Sequence, residues 1–102
     1  MPREFVRTDK NPYRGVSWNI RDEYFRMKIN AGSRQLTWNG KFQDPTIPAR
    51  IYDQAAILLR GPDAKLNADE VPEHFDGTAH PDFPAPLVYR WLVEQGVLGP
   101  NA

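Results

Sequence analysis

Basic or amide side chains occupy every second position between residues 24 and 30, namely Arg26, Lys28 and Asn30. The positions between them are apolar, namely Phe25, Met27 and Ile29. A period of two places these sets on opposite faces of a β-strand. Lysine and arginine on such a face can bind nucleic-acid phosphates, and arginine can also read guanine. A merely solvated strand face gives the same pattern, so the pattern needs support from elsewhere in the chain.

A second group of residues with possible chemistry lies in the loop 69–85, namely His74, Asp76, His80 and Asp82. Imidazole and carboxylate are ligands for Zn²⁺ or Mn²⁺. Histidines beside prolines in a surface loop usually hold no metal, and a histidine base also needs a nucleophile and a cleft. The sequence offers no clear pattern for a metal site or for a catalytic histidine. We therefore predict no metal site, no cofactor and no enzymatic activity.

Length and composition limit the class of protein. The 102 residues are enough for one small domain, and no cysteine is present to form disulfides or thiolate metal sites. The longest apolar runs are four or five residues, as in the segment 55–59, which is far too short to span a bilayer. We therefore expect no membrane segment.

The balanced total of 13 basic and 13 acidic residues hides an asymmetry. Residues 1–68 contain 12 basic and 7 acidic side chains, whereas residues 69–102 contain one basic residue, Arg90, and six acidic ones. This split is typical of a module that faces nucleic acid and carries an acidic appendage, although small samples also fluctuate.

The elements that must position the basic residues can be predicted from periodicity and turn residues. Three strands are expected, at 13–18, 24–30 and 34–38. The turns between them are 19–23 and Ala31-Gly32-Ser33, and Asn39-Gly40 follows the third strand. A helical stripe then runs from Ile47, after a cap at Asp44 or Thr46, and ends at Arg60-Gly61-Pro62.

These elements predict an α+β fold, with a three-stranded antiparallel sheet packed on one α-helix. The helix can cover only one face of the sheet, so the face with Arg26, Lys28 and Asn30 stays open.

The C-terminal part is predicted to be a loop at 69–85 and a short helix at 86–95. The helix carries an apolar stripe, namely Leu87, Val88, Trp91 and Leu92. A helix this short is marginal alone and needs a partner surface. That surface is either the back of the chain's own helix or another protein bound through residues 86–96. We expect the tail to lie away from the sheet.

Three motifs occur in a familiar order. Residues 13–16 read Tyr-Arg-Gly-Val, residues 52–56 read Tyr-Asp-Gln-Ala-Ala, and residues 60–67 read Arg-Gly-Pro-Asp-Ala-Lys-Leu-Asn. Over residues 12–68 the chain resembles the APETALA-type, or ethylene-response-factor, DNA-binding domain of plant transcription factors. The resemblance implies a sheet that lies in the major groove of double-stranded DNA, regulation of transcription and a nuclear location. It also divides the chain into an N-terminal arm (1–11), the domain (12–68) and an acidic Pro-rich tail (69–102).

The resemblance implies an interface made of Arg14, Gly15, Ser17, Trp18, Arg21, Arg26, Lys28, Asn30, Arg34, Trp38 and Lys41. Arg14 corresponds to the leading base-contacting arginine of the family. Lys28 and Asn30 stand where a glutamate and an arginine are usual, and Ser17 replaces another arginine, so the family's target sequence does not carry over. Trp18 and Trp38 either stack on bases or belong to the core. Arg60 and Asn67 are expected to be structural.

Two other functions are compatible with these residues. The chain could be a structural subunit of a ribonucleoprotein or organellar assembly that binds RNA, or the DNA-targeting part of a mobile-element nuclease or integrase. The missing family arginines favour the first of these alternatives. Binding to random duplex DNA and to structured RNA, measured as a function of salt, separates the ribonucleoprotein alternative from sequence-selective DNA binding.

Overall fold

Three antiparallel strands and three α-helices make up the part of the chain that the computed structural model describes, residues 13–38 and 40–98. The strands are β1 (Val16–Asn19), β2 (Tyr24–Ala31) and β3 (Arg34–Thr37). The helices are α1 (Thr46–Arg60), α2 (Asn67–Glu70) and α3 (Ala85–Glu94), and a 3₁₀ turn (Gly61–Asp63) follows α1. The predicted α+β fold is confirmed. No helix in these two ranges is long and apolar enough to cross a bilayer.

The sheet is a meander in the order β1-β2-β3. Val16 lies opposite Met27, and Ile29 lies opposite Leu36, which places these apolar side chains on one face. Directly opposed residues of antiparallel strands share a face, so Ser17 with Arg26 and Lys28 with Thr37 occupy the other one. The register therefore confirms the alternation predicted for β2.

Helix α1 begins and ends at the predicted signals. Asp44 Oδ1 accepts hydrogen bonds from the backbone N–H of Thr46 (2.9 Å) and from its hydroxyl (2.7 Å). At the other end Gly61 has φ 73°, a conformation that favours glycine, and its N–H donates to the carbonyl of Ile57.

The core lies between the apolar sheet face and α1. Met27, Ile51 and Ala55 are fully buried there, together with other small side chains of α1. Alanines allow a helix to approach a sheet closely, and the larger residues then fill the remaining space at core density.

The C-terminal segment packs on the same core. Phe75, Val88 and Leu92 belong to the buried cluster that also contains the sheet and α1, and α3 contacts α1. The predicted helix is therefore confirmed, and the surface that it needs is the chain's own helix α1. The expected loop 69–85 is interrupted only by α2, which ends at Glu70. The proposed arm, residues 1–11, lies outside the described residues, and the domain boundaries stay predictions.

Candidate nucleic-acid interface

The sheet face turned away from α1 is called the open face here. Its strand residues are Ser17, Asn19, Tyr24, Arg26, Lys28, Asn30, Gln35 and Thr37, as the register requires. None of these residues is acidic. Among the described residues, no helix packs on this face, because the helix contacts of the strands come from α1 on the apolar side. The open face is therefore a polar surface whose fixed charges are positive.

Tyr24 forms a platform for two cations on the open face. The Arg26 guanidinium lies 5.7 Å from the centroid of its ring, and the Lys41 ammonium lies 5.3 Å from it. The Tyr24 hydroxyl accepts a hydrogen bond from Asn19 Nδ2 (3.2 Å). Cation–π contacts of this kind contribute about 0.5–1 kcal/mol at exposed sites. A bound anion would interact favourably with both cations.

A groove of about 350 Å³ continues the basic surface towards the end of α1. Arg14, Lys28 and Arg60 line it together with polar residues of the open face. Arg60 is held by two hydrogen bonds, from Nη2 to the carbonyl of Asn30 (2.7 Å) and from Nη1 to the Tyr52 hydroxyl (3.1 Å). Arg60 therefore joins the end of α1 to β2, and it also lines the groove.

Gly15 provides the close approach that joins β1 to α1. Its φ is 79°, and a Cβ atom on it would lie 2.1 Å from the Tyr52 ring. Any side chain at residue 15 would therefore overlap the tyrosine as well as adopt an unfavourable backbone conformation. Gly15 shapes the groove by bringing the Tyr52 ring against the backbone.

Asn67 fixes the backbone of Arg14. The Asn67 side chain is fully buried, accepts from the Arg14 N–H (2.7 Å) and donates to the Arg14 carbonyl (3.0 Å). Asp53 in turn accepts from the N–H groups of Asn67 (2.8 Å) and Ala68 (3.1 Å). Burial raises the pKa of Asp53, and these hydrogen bonds oppose the rise. The motifs at 13–16, 52–56 and 60–67 thus meet at Asn67, which has the structural role expected of it.

The Arg14 side chain lies at the edge of the groove and pairs with Glu70. Arg14 Nη2 donates to Glu70 Oε2, and both side chains are about one-third exposed. The hydrogen bond and the charge of Glu70 raise the pKa of Arg14 further, so the guanidinium stays charged. Glu70 is the acidic group that the structure brings to this edge of the interface.

Most of the expected interface residues come together. Ser17, Arg26, Lys28 and Asn30 lie on the open face, Arg14 and Gly15 line the groove, and Lys41 lies beside Arg26. Arg21 is exposed in the turn after β1, where its N–H donates to Asn19 Oδ1 (3.0 Å). Seven of these eight residues lie on the open face, in the groove or against Tyr24, and Arg21 lies in the turn between β1 and β2.

Three expected interface residues lie on the side of α1 instead. Trp18 is opposite Phe25 and packs on its ring, with centroids 4.8 Å apart. Arg34 shares its face with Leu36, and its Nη1 donates to the carbonyl of Gln95 at the end of α3 (2.7 Å). These positions follow from strand parity, which places both residues on the apolar face. We leave them out of the interface.

Trp38 is the third expected interface residue that lies on the side of α1. Its ring packs 5.0 Å from that of Trp91 and 5.9 Å from that of Phe83, so the C-terminal segment covers it. The question whether Trp38 faces a ligand or the core is thereby answered in favour of the core.

The structure adds residues that the sequence prediction omitted. Tyr24, Gln35 and Thr37 share the parity of Arg26 and Lys28, so their place on the open face could have been predicted. Arg60 and Glu70 reach the groove only through tertiary packing, and the sequence carries no local signal for that.

The two loop histidines have protein partners in the structure. The Tyr13 hydroxyl and His74 Nδ1 are 2.9 Å apart, and the N–H of Asp82 donates to His80 Nδ1 (3.0 Å). Within residues 13–38 and 40–98, no three His, Asp or Glu side chains are grouped so that they could hold a metal ion.

The chain is similar to a known plant protein. An ethylene-responsive transcription factor of Arabidopsis thaliana is 32% identical to the chain over 66 residues, which are 65% of this chain and 36% of the relative. The chain thus spans about a third of the length of that protein. No protein-family model and no solved structure matches the chain. The chain is similar to a transcription factor over about two-thirds of its own length.

Proposed function

We propose that this chain is a DNA-binding module of the APETALA, or ethylene-response-factor, type that regulates transcription in the nucleus. The observation that carries the proposal is the open face, an uncovered sheet surface on which Arg26, Lys28 and Lys41 point outwards and no strand residue is acidic. The similarity to an ethylene-responsive transcription factor supports the same function independently.

The size of the sheet fits the major groove. Adjacent strands are about 4.8 Å apart, so three strands span about 10 Å, and the groove is about 12 Å wide. In this arrangement Arg26, Lys28 and Lys41 bind phosphates, and the polar side chains between them face base edges. Arg14 reads guanine from the groove at the edge of the sheet.

The acidic tail does not oppose this arrangement over most of its length. Arg50 of α1 donates to Thr78 Oγ1 (3.1 Å) and to the carbonyl of Ala79 (3.0 Å), and Gln54 donates to the carbonyl of Gly77 (3.2 Å). These contacts and α3 hold the tail against α1. The middle of the tail and α3 are therefore held on the helix side of the sheet, whereas Glu70 pairs with Arg14 at the groove.

A selection experiment with the full chain tests the proposal. Random duplex DNA and a structured RNA library are offered in parallel, and bound sequences are recovered from wild type and from Arg14→Lys. We expect one enriched duplex motif for wild type. Arg14→Lys keeps the charge but loses the bidentate fork, so one position of the motif should relax by about 1–3 kcal/mol with a modest loss of affinity.

Two outcomes contradict the proposal. A preference for RNA would make the chain a ribonucleoprotein component in the nucleus or an organelle. Steeply salt-dependent binding without any enriched motif would leave only a phosphate-binding surface.

A further inference from the structure

Glu70 is the one acidic side chain that the structure pairs with a described residue of the interface. It accepts a hydrogen bond from Arg14 Nη2. An arginine has five N–H donors; this bond uses one and Arg14 Nε is buried, so at most three N–H groups, on Nη1 and Nη2, remain for a ligand. A carboxylate at this place has two separable effects, because it lowers the local positive potential and it also fixes the direction of the guanidinium.

Glu70 belongs to a rigid part of the molecule. It ends α2, and that helix begins at Asn67, which is fully buried and bonded to Arg14, Asp53 and the carbonyl of Ala49. Asp69 accepts from the N–H of Leu66 and closes the first turn. Because Asn67 holds both the Arg14 backbone and α2, the backbones that carry Arg14 and Glu70 keep a fixed spacing.

A fixed backbone favours a support over a removable competitor. A competitor for DNA must move away on binding, and a mobile loop would suit that task. The backbone of α2 is instead held through Asn67, which places Glu70 so that it can keep its bond to Arg14 when DNA binds. A bond that persists on binding reduces the side-chain entropy lost when the guanidinium binds a base.

We propose that Glu70 is a positioning residue that orients the Arg14 guanidinium for base recognition and so determines specificity at one position of the DNA site. This proposal rests on the proposed function. According to this proposal, Glu70 lowers the affinity of the chain for DNA in general. It also raises the discrimination between bases at the position that Arg14 reads. The two effects have opposite signs, which makes the role measurable.

The test compares Glu70→Gln with Glu73→Gln in the full chain. Glu73 is exposed and lies three residues further on, so its variant removes the same charge without touching Arg14. Affinity is measured for the duplex selected by wild type, for its single-base variants and for a scrambled duplex. For Glu70→Gln we expect about threefold tighter binding to the scrambled duplex, and about fivefold or greater loss of discrimination at one position. Glu73→Gln should retain discrimination within about twofold of wild type.

The outcomes separate this proposal from the proposed function. If Glu70→Gln binds every duplex more tightly by the same factor, Glu70 is only an electrostatic competitor and the proposal is wrong. If wild type binds no duplex at all, the proposed function fails and this proposal fails with it. If wild type selects a motif and discrimination is unchanged in Glu70→Gln, only this proposal fails.

A measurement on the free wild-type chain needs no variant. Rotation about the Nε–Cζ bond of each arginine is measured by nitrogen NMR. We expect slow rotation for Arg14 and fast rotation for the exposed Arg21. Equally fast rotation in both would show that Glu70 does not hold the guanidinium, and would overturn the proposal even if Glu70→Gln did not fold.

Discussion

The two faces of the sheet are made from alternate residues of the same strands, but they differ in burial, polarity and charge. On the side of α1, Val16, Met27, Ile29 and Leu36 are buried against the helix and the C-terminal segment. On the open face, Arg26 and Lys28 lie among amide and hydroxyl groups that no described helix covers. One face provides burial of apolar surface, and the other provides charge and hydrogen-bonding groups.

The difference indicates that stability and binding are separable in this chain. Apolar burial stabilises the fold whatever the open face carries, since exposed polar substitutions usually change stability by less than about 0.5 kcal/mol. Substitutions should therefore fall into two classes according to the face that they touch. Residues that connect the faces, such as Gly15 and Asn67, should affect both.

The largest effect is expected for Leu92→Ala in α3. Leu92 is fully buried in the common core, and removing such a leucine costs about 2–5 kcal/mol in the free energy of unfolding. Leu87→Ala on the same helix is the control, because Leu87 is 39% exposed and should cost much less. Urea denaturation measures both. An equal loss in the free energy of unfolding for both variants would mean that the C-terminal segment is not part of the core. The apolar face would then be covered by α1 alone.

Gly15→Ala should be nearly as costly, at about 3 kcal/mol, because the new methyl group overlaps the Tyr52 ring and φ is positive. Gly32→Ala is a matched control, since φ at Gly32 is 66° and no atom lies within 4 Å of the added Cβ. Its cost should be about 1–2 kcal/mol from the backbone alone. Thermal unfolding of the two variants gives the difference, and a Gly15 variant no less stable than the Gly32 variant would contradict the close approach.

Asp53→Asn should lower the free energy of unfolding by about 1–3 kcal/mol. The carboxylate oxygens accept hydrogen bonds from the N–H groups of Asn67 and Ala68, whereas an amide has a single oxygen and can accept only one of the two. Asp63→Asn, at an exposed residue, is the control. The effect should also depend on pH. Burial raises the pKa of Asp53 above its ordinary 3.8, so its contribution to stability is fully present below 3.8 and declines as pH rises through the raised pKa.

Unfolding measured at several pH values checks that sign. The stability difference between wild type and Asp53→Asn should narrow as pH rises above 3.8. A difference that widens over the same range would show that the hydrogen bonds from Asn67 and Ala68 outweigh the burial of the carboxylate.

The fold could be predicted from the sequence to a large extent, because its signals are local. The period of two in β2, the glycine turn before β3 and the Asp44 and Gly61 signals around α1 all depend on neighbouring residues. The same parity predicts the placement of the basic residues on β2, and it also puts Trp18 and Arg34 on the apolar face.

The parts of the fold and of the candidate site that the sequence did not predict depend on contacts between distant segments. Trp38 meets Trp91 across more than fifty residues, and Arg14 meets Glu70 across a similar separation. No local pattern encodes such a contact, because the packing of α3 and the burial of Asn67 determine it. The sequence therefore predicted the sheet face that could bind, but not the carboxylate beside it.

The smallest expected change in stability and the most direct test of the open face come from one substitution, Lys28→Ala. Affinity for the selected duplex is measured from low to high salt for wild type, Lys28→Ala and Lys65→Ala, where Lys65 is an exposed lysine outside the open face. The proposed interface predicts weaker binding and a salt slope lower by about one unit for Lys28→Ala, with Lys65→Ala like wild type. Equal slopes in all three chains, or the same loss in both variants, would contradict binding through the open face.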